Sequence, residues 1–195
     1  PAGSAIRPKL CLLRTLDTPV TLRILGIDPG SRRTGVGIID SLGGRLIHIH
    51  HSVVQTQDED FPTRLRDIYE GVQERIALHR PSVCAVETVF LSRNPQSALK
   101  LGQARGAAIV AAVGAGLPVV QYTPGQIKQA VVGSGGADKT QVAYMVQLLL
   151  RGSLPAGLGD VPNDASDALA AAITHAHHHE SAGRIGLAAV QARRR

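Results

Sequence analysis

Ile24-Leu25-Gly26-Ile27 is a short apolar run that ends on an acid, Asp28, and is stopped at once by the turn pair Pro29-Gly30. A run bounded in this way reads as a buried strand ending at a sharp turn. An acid in that place is costly, because a lone carboxylate loses its hydration on burial. Asp28 is therefore a functional candidate rather than a packing residue. The chain returns through Gly35-Val36-Gly37-Ile38-Ile39-Asp40, which reads as the second strand of a hairpin. Its glycines let another backbone or a ligand come close.

Three further acids belong with Asp28. Glu87 closes a second apolar strand, Val83-Cys84-Ala85-Val86-Glu87. Asp164 and Asp167 lie three residues apart at the start of an alanine-rich helix. That spacing puts both carboxylates on one face within the first turn. If the four converge, each close pair repels by roughly 4 kcal/mol at 4 Å and an effective dielectric of 20. Such a cluster needs protons or a cation, and hard oxygen donors suit Mg²⁺ or Mn²⁺. The plainer explanation for any one acid is a solvated cap. It is strong for Asp164, an N-terminal helix acid, and weak for Asp28 and Glu87.

In chain order, residues 1–21 carry three prolines and no clear period, and read as a loosely ordered extension. Strands are expected over about 22–28, 34–40 and 45–55, then a helix over about 62–79 with Leu65, Ile68, Tyr69, Val72 and Ile76 at helical spacing. After the strand ending in Glu87 come a helix over about 96–115, a strand at 118–122, a short helix bearing Lys128 and a helix over about 138–150. A Gly/Pro loop over 151–162 leads to a last helix over about 163–178, and residues 180–195 read as a basic tail. Three antiparallel strands followed by two separated by helices give a mixed five-stranded α/β sheet flanked by helices, in one domain over 22–179. In such sheets ligands gather beyond the carboxyl ends of the strands, where Asp28 and Glu87 stand.

The chain has 195 residues and a net charge of +6, and the excess of Arg and Lys favours a polyanionic partner. Its two cysteines, Cys11 and Cys84, suggest no disulfide framework, and a reducing cytoplasm is expected. The first ten residues lack the apolar core of a signal peptide, and no run approaches a membrane span.

Three motifs compete with the acids. Gly133-Ser134-Gly135-Gly136-Ala137-Asp138-Lys139-Thr140 is one residue from a phosphate-binding loop. Asp138 replaces the glycine before the lysine and would bring negative charge toward a phosphate, so nucleotide binding is rejected. His48, His50 and His51 share a strand, and His175, His177, His178 and His179 end the last helix, but no ordered Cys/His spacing marks a zinc site. His175 follows Asp167 by about two turns and could reach the acids. A plain histidine at a helix C-terminus is the better reading. Asp28-Pro29-Gly30-Ser31 also resembles the first phosphate loop of actin-like kinases, which have two such subdomains and longer chains.

Taken together, Gly26-Ile27-Asp28-Pro29-Gly30-Ser31, Val86-Glu87, the stretch from Ser97 to Gly106, Gln126-Ile127-Lys128-Gln129 and Asp164-Ala165-Ser166-Asp167-Ala168-Leu169-Ala170 resemble the RuvC-type Holliday junction resolvases. The likeness runs in order over about residues 23–176. It implies a ribonuclease H-like fold, a homodimer, and cutting of four-way DNA junctions with two Mg²⁺ or Mn²⁺ ions per active site. Asp28, Glu87, Asp164 and Asp167 match the catalytic, metal-binding acids. Phe90 matches an aromatic that stacks on bases at the junction centre, Lys128 and Lys139 match basic residues near the cleft, and Arg93 keeps a positive charge found in the family. RuvA and RuvB are the implied partners. The extension before the first strand, Thr88 where glutamine is common, the long loop at 151–162 and the tail depart from the family pattern. The rivals are a non-catalytic junction-binding module and a general ribonuclease H-type nuclease of the same fold. Retention of all four acids argues against the first, and Phe90 with the small-residue helix over 96–115 against the second.

Overall fold

The computed structural model describes residues 21–57, 60–88, 94–154 and 161–192, with side chains as far as residue 183. Strands β1 (Leu22–Asp28), β2 (Arg33–Leu42) and β3 (Arg45–Gln55) form an antiparallel meander. β4 (Val83–Glu87) adds parallel to β1, and β5 (Val119–Tyr122) parallel to β4. The sheet order is β3-β2-β1-β4-β5, the mixed arrangement expected from the sequence.

Helices cover both faces. On one lie α1 (Phe61–His79) and α2 (Pro95–Gly114), packed on Leu25, Ile27, Val36, Ile38, Cys84 and Val86. On the other lie α3 (Pro124–Val132), α4 (Lys139–Leu150) and α5 (Asn163–Ala192), packed on Ile24, Ile39, Val83 and Ala85. Alternate residues of β1 therefore feed two cores, as the two-residue period of a strand requires. Ile24, Leu25 and Ile27 are fully buried, each worth about 1.5–3 kcal/mol.

The helix starts carry their own signals. Asp60, Asn94, Thr123 and Asp138 are N-caps of α1 to α4, and Thr123 and Asp138 form reciprocal capping boxes with Gln126 and Gln141. This accounts for the phosphate-loop look-alike. Gly133 ends α3 with φ 85°, in the left-handed region that suits glycine, and Asp138 starts α4. The aspartate satisfies amide donors rather than approaching a ligand.

The last helix differs from expectation. It does not end near residue 178 but continues without a break to Ala192, through most of the segment read as a tail. Ala182, Ala188, Ala189 and Ala192 favour the continuation, and Gly183 and Gly186 are tolerated within it. No helix among the described residues is long and apolar enough to cross a membrane.

Candidate active site

The sheet brings two of the acids together directly. Ile27 of β1 is level with Val86 of β4, so Asp28 and Glu87, the next residue on each, end adjacent parallel strands side by side. Glu87 is held from behind. Thr88 N donates to Tyr122 O at 2.8 Å, and Arg105 Nε of α2 donates to the Glu87 carbonyl at 3.4 Å.

The other two acids arrive through glycine. Gly26, Gly35 and Gly37 present a bare strip of sheet to α5, and a Cβ on any of them would overlap α5. The clashes would fall on Ala168 at Gly26, Asp164 at Gly35 and Leu169 at Gly37. Ala165, Ala168 and Ala172 are fully buried on the helix side. Helix backbone thus lies on sheet backbone. Asp164 sits over Gly35, which is itself the cross-strand partner of Asp28. The close approach that the glycines of β2 predict is real, and its partner is a helix.

Electrostatics show that the four carboxyls share one field. Asp28 is pushed up from its ordinary 3.8 to about 8, first by burial and then by the charges of Glu87, Asp167 and Asp164, with Lys139 opposing. Glu87 is also raised, by burial and then Asp167, against Lys139 and Lys128. Lys139 is raised in turn, chiefly by Asp167. Two cations already stand on the α5 acids: Arg33 Nε lies 2.6 Å from Asp164 Oδ2, and Lys139 Nζ lies 3.3 Å from Asp167 Oδ2.

The donor set is all carboxylate oxygen, which fits a hard divalent cation rather than a soft one. Among the described residues, no three acidic, histidine or cysteine side chains already face one point closely enough to hold an ion. The two ion pairs supply a physical reason, since they turn Asp164 and Asp167 toward cations. Beside the acids a cavity of about 250 Å³ is lined by Glu87, Asp167, Lys128 and Lys139, with Pro124, Ile127 and Val142 as its apolar wall. A larger groove of about 510 Å³ between α3 and α5 has no carboxylate in its lining and lies apart from this chemistry.

Of the residues singled out from the sequence, Asp28, Glu87, Asp164, Asp167, Lys128 and Lys139 are therefore brought together. Phe90 and Arg93 lie outside the described residues. His175 is not at a helix end, because α5 continues past it. It is half-buried and its Nδ1 bonds the Tyr122 hydroxyl at 2.9 Å. His48 and His51 bond each other at 2.8 Å, while His50 stacks on His79. Arg33 was missed. Its signal was its place, at the head of the return strand directly after the turn that follows Asp28.

The model for the family described as crossover junction endodeoxyribonuclease RuvC matches residues 24–175. The crossover junction endodeoxyribonuclease RuvC of Citrifermentans bemidjiense is 61% identical over 79% of this chain and 92% of its own length. That of Alkalilimnicola ehrlichii is 54% identical over 84% and 96%. Among solved structures, T. thermophilus RuvC in complex with Holliday junction substrate superposes with a TM-score of 0.75. It has 39% identity and covers 83% of this chain and 96% of that one. The fold is thus the ribonuclease H-like fold of these nucleases. With the family model spanning both the strand that ends in Asp28 and the helix that carries Asp164 and Asp167, the chain belongs to the RuvC family of crossover junction endodeoxyribonucleases.

Proposed function

We propose that this protein resolves four-way DNA junctions by hydrolysing one phosphodiester in each of two strands, with Asp28, Glu87, Asp164 and Asp167 as the residues that hold divalent metal. The observation that carries the reading is the convergence of these four acids, from β1, β4 and α5, beside a cavity walled by Lys128 and Lys139. Magnesium or manganese, when bound, supplies Lewis acidity for water activation and for the departing oxygen. The protein supplies the rest. Burial and mutual repulsion keep a proton on Asp28 until a cation replaces it. Lys128 and Lys139 offer charge to a phosphate at the mouth of the cleft. The glycine-seated α5 holds its two acids in place without relying on side-chain packing beneath them.

Two cuts need two such sites, and one chain supplies one. Helix α2 has a second apolar face opposite its buried one. Leu99, Val110 and Val113 are exposed there, and a Cβ at Gly102 or Gly106 would meet nothing. All five fall within one stripe at 100° per residue. We assign this face to a second copy of the chain, paired about a two-fold axis like that of a junction. The Arg105 bond to the Glu87 carbonyl ties this helix to the acid-bearing strand, so the pairing would set the spacing of two active sites. RuvA and RuvB are the partners the family implies for branch migration.

The test is to incubate the protein with a four-way junction, a plain duplex and an RNA–DNA hybrid, each with Mg²⁺ or Mn²⁺. Paired cuts in the junction alone support the reading. Preferential cutting of the hybrid, or binding without cutting, refutes it.

A further inference from the structure

Arg33 makes a closer contact with the acids than Lys139 does, and it makes it with one acid only, Asp164. Its backbone is firmly mounted. Thr34 Oγ1 donates to Gly30 O at 2.9 Å, Thr56 N donates to Arg32 O at 3.0 Å, and a side chain at Gly30 would strike the Arg33 carbonyl. The turn that ends β1 on Asp28 therefore also presents Arg33 to Asp164. Its side chain, by contrast, is 46% exposed, so the guanidinium is free to swing outward while its Cα stays put. Lys139 acts differently. Its charge is felt at Asp28 and Glu87 as well as at its partner Asp167, and it lines the cavity of the proposed phosphate site.

We propose that Arg33 is a displaceable counter-ion, occupying the Asp164 carboxylate until a divalent ion takes it, so that Arg33 sets how tightly this side of the site holds metal. The inference rests on the reading of the four acids as the metal-binding set. The ion and the guanidinium compete for the same oxygen lone pairs, and the guanidinium has to leave or tilt away. A single positive charge about 5 Å from a dication weakens its binding roughly tenfold even in a near-aqueous dielectric. Arg33 thus neutralises Asp164 in the metal-free protein and raises the metal concentration needed to fill the site.

The experiment is calorimetric titration of Mn²⁺ into the metal-free protein, without DNA, for the wild type, Arg33→Met, Arg33→Lys and Arg32→Met. Arg32→Met removes the same charge one residue away from the contact. Arg33→Met should bind Mn²⁺ roughly tenfold more tightly and Arg32→Met within about twofold of the wild type. Arg33→Lys should fall between wild type and Arg33→Met, since lysine keeps the charge but not the planar fork. Equal affinities for wild type and Arg33→Met, or equal gains for Arg32→Met and Arg33→Met, overturn the proposal. Arg33→Lys tighter than Arg33→Met overturns it as well. A wild type that takes up no Mn²⁺ would instead refute the metal-binding role of the four acids, and this inference with it.

Discussion

Replacing Asp28 by asparagine should stabilise the metal-free protein while abolishing cutting. The substitution keeps shape and removes one ionisable group from a cluster of four. In the folded chain Asp28 titrates near 8 rather than 3.8. An acid whose pKa is raised by folding binds more protons folded than unfolded, so stability falls as pH rises through that window, from about 4 to about 8. The full shift would correspond to a ceiling of about 6 kcal/mol at pH 8. Relaxation, water and sharing of the strain among four carboxyls lower this to about 1–3 kcal/mol. At roughly 2–4 °C per kcal/mol for a chain of this size, the melting temperature should rise by about 2–12 °C. The assay is thermal unfolding in chelator at pH 5, 6, 7 and 8 for wild type and Asp28→Asn. The gap between them should widen with pH and close toward pH 4. A gap that is absent at pH 8, or the same at every pH, would show that Asp28 does not carry the strained charge. Junction cutting at near wild-type rate by the variant would remove it from the catalytic set.

The remaining predictions concern binding, assembly and the seat of α5. Lys128→Ala or Lys139→Ala should weaken junction binding and reduce the slope of log K against log salt by roughly 0.7–0.9 if each lysine contacts one phosphate; an unchanged slope returns that lysine to the solvated surface. Val110→Asp should yield a monomer in sedimentation at micromolar concentration, with nicking in place of paired cutting; a dimer that survives the change moves the interface off α2. Gly26→Val should cost at least about 3 kcal/mol of stability, because the new side chain meets α5 backbone rather than a movable side chain; a near-neutral result would mean that α5 is not seated as described. Phe90→Ala should slow cutting with little change in melting temperature, since base stacking is worth roughly 1–3 kcal/mol per base; a large loss of stability with normal cutting would make Phe90 a core residue.

The parts legible in the sequence were those where a local pattern and a cost coincide. An acid closing an apolar strand is expensive unless it has work to do, and this singled out Asp28 and Glu87 before any geometry. The three-residue spacing of Asp164 and Asp167 carried enough to place both on one turn. The length of α5 was not legible, because Gly183 and Gly186 follow the histidine run and read as an end, whereas the helix passes through both and no proline stops it. The place of His175 followed from that error. Arg33 was legible only as a place, beside the turn after Asp28: its partner Asp164 is 131 residues away along the chain, and no local periodicity reports such a meeting. The glycines of β2 announced a close approach but not what approaches, and Gly26 of β1 joins them only in the structure.

The glycine strip has a consequence in time. Asp28 and Glu87 are synthesised early, whereas Asp164 and Asp167 come after every strand of the sheet has been made. The bare strip stays exposed until α5 lies down on it, and the same docking that buries the strip completes the acid cluster. A nascent chain still short of α5 can form a sheet and can carry its basic residues, but it has half of the charge that a pair of divalent ions would need. With the four acids as the proposed metal-binding set, DNA cleavage becomes available only once the last helix is in place. Folding itself acts as the safety catch of the nuclease.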